Sequence, residues 1–536
     1  MFAPTTRYRG GLVHSPADPH ATALLVTGDT ITWVGADRDV PPAGGTVDLA
    51  GALVTPAFVD AHVHATDTGL ASTGLDLSST RSARHLLDAV AGAAARAPAD
   101  AVVFGHGWDD SVWDLPTPPD AEALARAAGG RAAYLSQASM HSALCSRALL
   151  AATPALAGMP GYDPDGWLRR EAHRAVRAVA LASVGAAQRG TVQQAALRRA
   201  ASLGIAAVHE CGGPDISCED DFTGLLARSG DGLPEAYGYW GELGGAARAR
   251  ALGAVAAGGD LLADGALGAR TAHLRQPYAD GDGTHGHGYL TSEQVRDHLL
   301  DCHEHGLPGG FHAIGDAALA TVLAGFAAAA DKLGAERLRA ARHRIEHAEL
   351  LDRSMIAQLV EYGVVASVQP AFDRLWGGER HMYARRLGVT RSLAANPFGA
   401  MHSVGVSLAF GSDSPVTPLD PWGGVRAAAS HHSPALRMGV RAAFAAHTRG
   451  GWRAVGQDNH GVLVPGAPAT FAAWHTPSGR DGTLPVLLAD DPGQRGPHDP
   501  TPLPRCLATV LRGRMIFDAG LTGSGPSGAA PGVVAP

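Results

Sequence analysis

Eight short apolar runs that end in polar residues and alternate with helix-like segments constrain the fold of this 536-residue chain most strongly. Strands that alternate with helices predict βα units and a parallel sheet. Eight such units predict an α/β fold, a TIM-type (β/α)8 barrel over residues 56–454. The runs are AFVDAHVH (57–64), GIAAVHE (204–210), PEAYGYW (234–240), DLLADG (260–265), GGFHAIGD (309–316), HRIEHAE (343–349), VVASVQP (364–370) and VSLAFGSD (406–413).

Both ends of the chain have the pattern of short antiparallel strands instead. The run ALLVTGDTITWVGAD (23–37) contains a GD turn between two apolar strands, which is typical of a hairpin. Similar runs return at 460–476 and 506–520. We therefore predict one small β-sandwich domain built from residues 1–55 and 455–520, followed by a disordered tail at 521–536.

The first two barrel runs are separated by about 130 residues more than a βα crossover requires. This stretch has strand-like runs of its own at 101–108 and 132–137, together with helix-like Ala/Arg/Leu segments. We predict that residues 70–200 form an inserted α/β subdomain over the mouth of the barrel.

Composition excludes several classes of partner. The formal charge is −8, from 43 basic and 51 acidic residues without a long block of one sign, so neither nucleic acid nor a membrane is an expected partner. The five cysteines form no CxxC pair, and the N-terminus has no apolar leader run, which together predict a cytoplasmic protein. We expect a small-molecule substrate, and homo-oligomer formation stays open.

Histidines and a carboxylate stand at the ends of four of the predicted strands. His62 and His64 share one face of the first strand because their positions differ by two, and His312, His347 and Asp413 end later strands. Since the carboxyl ends of barrel strands meet at one rim, these side chains should converge there. Imidazole and carboxylate groups predict a divalent metal, one zinc per chain, with iron, manganese and nickel as alternatives.

Each of these residues also has an ordinary structural interpretation. An HxH pair occurs on exposed strands, His347 could be a packed core residue, and Asp413 could cap a helix. The metal interpretation rests on their succession in barrel order. Glu346 points away from His347 on a strand, so we expect it to orient a neighbouring side chain.

The sequence resembles the amidohydrolase superfamily, within its amidohydrolase 3 family, whose members include N-substituted formamide deformylase-like proteins. The resemblance implies hydrolysis of a carbon–nitrogen bond other than a peptide bond, with a small amide or N-substituted formamide as substrate. It also implies that Asp413 is the general base, that His347 is catalytic, and that His62, His64, His312, His347 and Asp413 form the metal site. The motifs are VTPAFVDAHVH (54–64), GHGWDDSVW (105–113), HSALCSRALL (141–150), DGALGARTA (264–272), HAIGDAAL (312–319), RIEHAELL (344–351), GSDSPVTPLDP (411–421) and GVLVPGAPATFAAW (461–474).

One position departs from that family. Many members have a lysine on the fourth strand, whose carboxylated side chain bridges two metals, and here Asp260 stands in its place. The single lysine, Lys332, lies in a helical segment elsewhere, so no lysine of this chain can form that bridge. Three alternatives remain: a mononuclear site, which we favour, a pair of metals bridged by Asp260, or a site without function.

Three residues are candidates for substrate binding: Trp108, His141 and Arg270. The tryptophan could instead pack the subdomain, and the arginine could bind a carboxylate of the protein itself in place of a substrate anion. His209 and Glu210, at the end of the second run, are further candidates for the pocket.

Two other functions remain open. The missing lysine also suits a mononuclear aminohydrolase that deaminates a heterocycle, and a non-catalytic relative could use the same barrel to sense a ligand. Product analysis separates the first from an amidase, because deamination releases ammonia.

Overall fold

A computed structural model describes residues 3–98, 101–115, 117–476, 484–485, 487 and 502–521. The predicted tail at 521–536 lies outside these residues, apart from Leu521. The strands are β1 (Thr5–Arg9), β2 (Leu12–Val13), β3 (Ala23–Thr27), β4 (Thr30–Gly35), β5 (Gly45–Asp48), β6 (Leu53–Pro56), β7 (Phe58–Val63), β8 (Leu75–Asp76), β9 (Val103–Trp108), β10 (Ala133–Gln137), β11 (Ser142–Cys145), β12 (Trp167–Arg169), β13 (Ile205–Gly212), β14 (Glu235–Trp240), β15 (Gly310–Ala313), β16 (Arg344–His347), β17 (Val365–Val368), β18 (Ser407–Phe410), β19 (Phe471–His475), β20 (Arg505–Leu511) and β21 (Arg514–Asp518).

The helices lie mainly between these strands. Within the described residues no single helix is long and apolar enough to cross a bilayer, and the helices Asp316–Leu333 and Ala335–Ala341 pass that test only as a pair bent by 115°. The helices are α1 (Ala65–Thr73), α2 (Ala83–Arg96), α3 (Ala121–Ala127), α4 (Arg147–Ala151), α5 (Arg170–Ala182), α6 (Ala186–Ser202), α7 (Glu219–Arg228), α8 (Ala246–Ala251), α9 (Ser292–Glu304), α10 (Asp316–Leu333), α11 (Ala335–Ala341), α12 (Arg353–Tyr362), α13 (Pro370–Trp376), α14 (Met382–Leu387), α15 (Val389–Ala394), α16 (Phe398–Ser403), α17 (Pro421–Ala429), α18 (Val440–Ala446) and α19 (Arg449–Ala454).

The two chain ends form two sheets that share one hydrophobic core. One sheet has the order β4-β3-β1-β5, and β3 and β4 form the hairpin predicted around the GD turn. The other has the order β2-β6-β19-β20-β21, in which β6 from the N-terminal part pairs antiparallel with β19 from the C-terminal part. Tyr8 of the first sheet packs edge-on against Phe471 of the second, with ring centroids 5.0 Å apart.

The insertion between the first two barrel runs has a sheet and cores of its own. Its five strands have the order β12-β11-β10-β9-β8, and β9 and β10 coincide with the strand-like runs predicted at 101–108 and 132–137. Helix α2 lies over this sheet, and Leu86 and Val90 from it pack with Leu135 and Trp108.

Parallel strands occupy the middle of the chain. They form the sheets β14-β13-β7 and β15-β16-β17-β18, and seven of the eight predicted runs coincide with one of these strands. Single parallel bridges continue the pairing between the two sheets, from Tyr239 to Ala256, from Ala257 to Gly309 and, on the other side, between Val63 and Ser414.

The strand predicted at DLLADG (260–265) is wrong. This segment makes single bridges only, such as Leu262 to His312. Two glycines precede it, Gly258 and Gly259, with φ of +158° and +80°. A Cβ on Gly258 would lie 2.2 Å from the backbone nitrogen of Gly310, so the chain approaches β15 too closely for an ordinary residue. Glycine in these conformations interrupts extended pairing, and the segment presents Asp260 from an irregular backbone.

Candidate metal centre

Six side chains converge where the parallel strands end. His62 lies within β7 and His64 directly follows it, His312 and His347 lie in β15 and β16, and Asp413 lies three residues beyond β18. None of these residues, nor Asp260, exceeds 8% exposure. The five positions that the sequence predicts as a metal site are therefore brought together, with Asp260 among them.

His62, His64 and Asp413 offer ligand atoms spaced as around one ion, and Asp260 lies beside both imidazoles. The Nε2 atom of His62 lies 3.4 Å from Asp260 Oδ2 and 3.3 Å from Asp413 Oδ1, and His64 Nε2 lies 3.2 Å from each of these oxygens. A tetrahedral ion with bonds of about 2.0–2.1 Å has ligand-to-ligand edges of about 3.3 Å. His62 Nε2 is buried without a hydrogen-bond partner in the described part of the chain, as expected of an atom reserved for a metal.

The other oxygen of Asp260 faces a second pair of imidazoles. Its Oδ1 lies 3.5 Å from His312 Nδ1 and 3.8 Å from His347 Nε2, and this oxygen too is buried without a hydrogen bond in the described residues. Asp260 thus stands between two groups of nitrogens, one on each carboxylate oxygen.

Hydrogen bonds hold three of the imidazoles by their far nitrogens. His62 Nδ1 donates to Glu346 at 2.8 Å, His347 Nδ1 donates to Gln369 at 2.9 Å, and His312 Nε2 donates to the Gly265 carbonyl at 3.1 Å. Such bonds select the tautomer whose other nitrogen is free to bind a metal. Glu346 therefore orients a neighbouring side chain, as the sequence predicts.

Arg344 fixes Glu346 in turn. The guanidinium of Arg344 donates to both Glu346 oxygens and lies 4.1 Å from the ring centre of Tyr239, in a cation–π contact. Burial raises the pKa of Glu346, but the charge of Arg344 and the hydrogen bond from His62 outweigh it and lower that pKa to about 2. His209 accepts a hydrogen bond from Arg344 at 2.8 Å, so it belongs to this buried support.

Two buried carboxylates beside the imidazoles make a positive charge favourable at the centre. Burial lowers the pKa of His64, but hydrogen bonds and charges from Asp260 and Asp413 reverse this and raise it to about 10. Burial raises the pKa of Asp260, yet the facing charge of His62 and the histidine hydrogen bonds lower it well below its usual value. A bound cation would supply the same positive charge beside the two carboxylates.

Strained backbone positions lie at the centre. His347, Ala348 and Asp413 have φ of +67°, +49° and +55°, in the left-handed region that residues other than glycine rarely adopt. Strain of this kind persists where surrounding contacts enforce it, and it clusters at functional sites.

The three predicted substrate-binding residues lie in different surroundings. Trp108 is fully buried in the core of the inserted sheet, where its Nε1 donates to the Leu135 carbonyl at 2.8 Å. Arg270 pairs with Asp280 through hydrogen bonds of 3.1 and 2.9 Å, which corresponds to the carboxylate alternative. His141 lies at the centre, with its ring 5.3 Å from that of His312.

Two cavities of about 570 and 700 Å³, volumes that include space open to solvent, extend from the centre. Both are lined by His141, His347 and Asp413.

Glu210 does not line either cavity among the described residues; its carboxylate accepts a hydrogen bond from the Ala65 amide at 2.8 Å. Burial raises the pKa of Glu210 to about 8.

Sequence reasoning missed two supporting residues. Gln369 is the last polar residue of the seventh run, VVASVQP, so the rule that polar strand ends face the site could have found it. Arg344 precedes Glu346 by two positions on β16, and its shared face with that residue was an available signal.

Residues 45–517 match the amidohydrolase family. The chain belongs to this family. Its family and the ligand groups of the centre together indicate a metal-dependent hydrolase of the amidohydrolase superfamily.

Similar proteins cover most of the chain. YtcJ of Bacillus subtilis (strain 168) is 27% identical over 460 residues, which span 78% of this chain and 83% of that protein. Protein LONG AFTER FAR-RED 3 of Arabidopsis thaliana is 25% identical over 518 residues, or 86% and 85% of the two chains. The structure of an uncharacterized metal-dependent hydrolase from Pyrococcus horikoshii OT3 superposes with a TM-score of 0.71 at 23% identity, covering 90% of this chain and 98% of the other, and supports the α/β fold.

Proposed function

We propose that this family member hydrolyses a carbon–nitrogen bond, other than a peptide bond, in a small amide or N-substituted formamide. The observation that carries the proposal is the ion-like spacing of His62, His64 and Asp413, beside Asp260, at the junction of two cavities. Such a site combines a place for a divalent cation, with zinc as the first candidate, and space for a substrate on either side.

The residues of the chain have separate tasks in this reaction. When bound, a divalent cation polarises a carbonyl oxygen and lowers the pKa of water to about 7. Asp413 accepts the proton of the attacking water at Oδ2, since its Oδ1 faces His62 and His64. Asp413 then returns this proton to the leaving nitrogen, and the products are an amine and a carboxylic acid. His141 lines both cavities beside Asp413 and contacts the carbonyl side of the substrate, while His347 would help to hold the cation.

We infer further that Asp260 would serve two ions, the second of the three alternatives left by the missing lysine. Its Oδ2 would join His62, His64 and Asp413 in holding one ion, and its Oδ1 would join His312 and His347 in holding the other. This assignment replaces our sequence-based preference for a single ion.

We propose the following domain arrangement around the site. Residues 56–454 form a (β/α)8 barrel with residues 70–200 inserted, and residues 1–55 with 455–520 form a β-sandwich. The parallel pairing that runs from β7 through β14, the Ala256–Ala257 segment and β18 back to β7 supports a closed barrel. The shared core of the two end sheets supports the sandwich.

Metal analysis and product analysis of one preparation test the function. We expect close to two divalent ions per chain, and the release of an amine and an acid from members of a panel of N-substituted amides and formamides. One ion per chain would contradict the Asp260 bridge. Ammonia released from a heterocycle would identify the deaminase alternative and overturn the amidase.

Asp413→Asn separates catalysis from ligand sensing. We expect kcat to fall about 100- to 10,000-fold, because the proton acceptor is lost. Metal content is measured on the same protein, since Asp413 also faces the ions. If metal-loaded wild-type protein hydrolyses no amide in the panel, and if Asp413→Asn leaves ligand binding unchanged, the ligand-sensing alternative replaces the enzyme.

A further inference from the structure

The two cavities extend from the metal centre with contrasting walls. They share the central residues Ser139, His141, His347, Asp413 and Val416. A substrate whose reacting carbon lies beside Asp413 therefore has one substituent directed into each cavity. The side chains that line each cavity therefore indicate the chemistry of the substituent that the cavity would hold.

The cavity of about 570 Å³, which we call the apolar arm, is aromatic and aliphatic. Phe372 and Trp376 from α13 pack with ring centroids 4.9 Å apart, and Leu267, Ile314 and Met382 complete much of the wall. Polar side chains line it as well, namely Asp109, Gln137, Glu349 and Arg386. The guanidinium of Arg386 donates to Asp280 and to the Gly268 carbonyl, and its Nε is buried without a hydrogen-bond partner in the described residues. This arm suits an apolar group.

The cavity of about 700 Å³, which we call the cationic arm, has three arginines of one helix on its wall. Arg170, Arg174 and Arg177 follow one another at spacings of four and three residues on α5, which places them on one helix face. The same cavity reaches His64, Asp260 and the other ligand residues. A group bound by these arginines is therefore continuous with the reacting centre.

Arg177 has a structural role within this arm. Its guanidinium is buried and donates to Asp67 and to the Ile216 carbonyl. Arg177 thus attaches α5 to α1 and to the segment that follows β13, and it is not available to a ligand.

Arg170 and Arg174, in contrast, are held loosely. Arg170 lies 3.5 Å from Glu171, and Arg174 lies 3.5 Å from Glu171 and 3.7 Å from Asp215, all longer than ordinary hydrogen bonds of about 2.7–3.2 Å. The Asp215 side chain is 56% exposed, so water weakens that pair. The Nε atom of Arg170 is buried without a hydrogen-bond partner in the described part of the chain.

The backbone of Arg170 is strained. Its φ is +51°, in the left-handed region, although Arg170 is the first residue of α5 and carries a long side chain. A conformation of this kind persists only where neighbouring contacts enforce it, and it is common at ligand-binding sites. The strained residue and the unpartnered nitrogen coincide in the wall of the cationic arm.

We propose that the substrate is an amide with a carboxylate on one side of the scissile bond and an apolar group on the other, and that Arg170 and Arg174 bind the carboxylate. This inference rests on the proposed function and names its substrate class. Carboxylates already lie near both guanidiniums at loose distances, and a substrate carboxylate would replace them with short, bidentate hydrogen bonds. In the reaction, water adds to the carbonyl carbon, and its proton passes through Asp413 to the nitrogen as the carbon–nitrogen bond breaks. The substrate carboxylate that the arginines bind is unchanged.

Matched substrates test the inference on the full-length, metal-loaded protein. Phenylacetylglycine and phenylacetylglycine amide differ only by the charged group, and we expect kcat/KM to be about 10- to 100-fold higher for the acid. Arg170→Gln and Arg174→Gln should each raise KM for the acid about tenfold or more and leave kinetics with the neutral amide within about twofold. Arg198→Gln, on the exposed face of α6, is the matched control and should change neither.

Retained turnover of the neutral amide shows that each variant is folded. If acid and amide react equally well, or if the arginine variants affect both alike, the cationic arm does not bind a carboxylate, while the hydrolase function stands. If no amide is hydrolysed, calorimetric binding of phenylacetylglycine to Asp413→Asn protein, with and without Arg174→Gln, still measures the carboxylate site. Binding that is independent of Arg174 then overturns the inference.

Discussion

The imidazole of His62 is controlled at both of its nitrogens. On one side, Nδ1 donates to Glu346, which Arg344 holds in its ionised form; on the other, Nε2 faces Asp260 and Asp413. Along this chain of contacts, the positive Arg344 is followed by the negative Glu346 and then by the imidazole of His62. An ion bound at Nε2 would therefore be supported by a buried carboxylate two contacts away.

Glu346→Gln should weaken metal binding without touching a ligand atom. We expect metal affinity to fall about 10- to 100-fold, because the amide no longer fixes the His62 tautomer. Competition with a chromogenic chelator measures this affinity.

The same change leaves the buried Arg344 without its counter-charge, so stability should fall by about 3–5 kcal/mol. Arg344→Lys is the control, since it keeps Glu346 ionised but loses the forked hydrogen bonds, and it should retain most of the metal affinity. An unchanged affinity in Glu346→Gln would show that Glu346 does not orient His62.

Metal uptake should release protons. In the metal-free protein the pKa of His64 is raised to about 10, so this imidazole carries a proton at pH 7–8 that a cation must displace. Affinity should rise with pH over that range. Calorimetric titrations of the metal-free protein in buffers of different ionisation enthalpy measure the number of protons released, and a value of zero would contradict the charged state of His64.

Single residues also mark the limit of what could be read from the sequence. The succession of His62, His64, His312, His347 and Asp413 was readable because each ends a strand. The role of Asp260 was not, because it depends on where two carboxylate oxygens point from an irregular backbone. Nor could the motif around Trp108 tell a buried core indole from a substrate contact, since both need an aromatic residue at that place.

At the scale of elements, apolar runs predicted most of the parallel strands and missed one. The runs that coincide with strands have continuous backbone pairing, as β16 does with β15 and β17. The DLLADG segment is apolar and equally short, but the glycines before it replace pairing by a close approach to β15. Hydrophobic pattern reports burial, and burial alone does not distinguish a strand from an irregular core segment.

Helix α1 begins directly after His64, and its contact with α6 depends on a glycine. A Cβ on Gly69 would lie 2.1 Å from the Val192 carbonyl oxygen, so the two helices are in backbone contact. Gly69→Ala should therefore destabilise the protein by about 1–3 kcal/mol, although alanine favours a helix.

Gly92→Ala on α2 is the matched control. There the nearest atom to the new Cβ is the end of the flexible Arg96 side chain, at 3.7 Å. This substitution should stabilise the helix by up to about 1 kcal/mol. Thermal unfolding of both variants measures the contrast, and equal shifts would contradict the close contact of α1 and α6.

At the scale of the whole molecule, buried neutral histidines set the response to acid. His447 packs against Phe58 and Phe410, and its Nδ1 donates to the Val59 carbonyl at 3.0 Å. Burial lowers its pKa to about 4. Because the unfolded chain has a histidine pKa of about 6.5, it binds more protons than the folded protein between about pH 6.5 and 4, and stability falls as pH falls through that window.

His447→Gln should flatten this acid response. The variant is less stable at pH 7 by about 1 kcal/mol, since it loses a buried hydrogen bond. Between pH 6.5 and 4, however, the wild-type protein loses about 3 kcal/mol of unfolding free energy through His447, and the variant does not. Unfolding temperature as a function of pH, at matched metal content, measures the difference. His20→Gln, at an exposed position, should follow the wild-type curve. Parallel curves for His447→Gln and wild type would contradict a neutral His447.

The pairing of β6 with β19 has a consequence for how the protein is made. These strands and their neighbour β20 come from opposite ends of the sequence, and about 450 residues separate β6 from β20. A ribosome adds about 5–20 residues per second, so β6 waits roughly 20–90 seconds for its partners. During synthesis the growing chain therefore exposes an unfinished sheet edge, and the parallel strands have time to associate before the two ends close over one core.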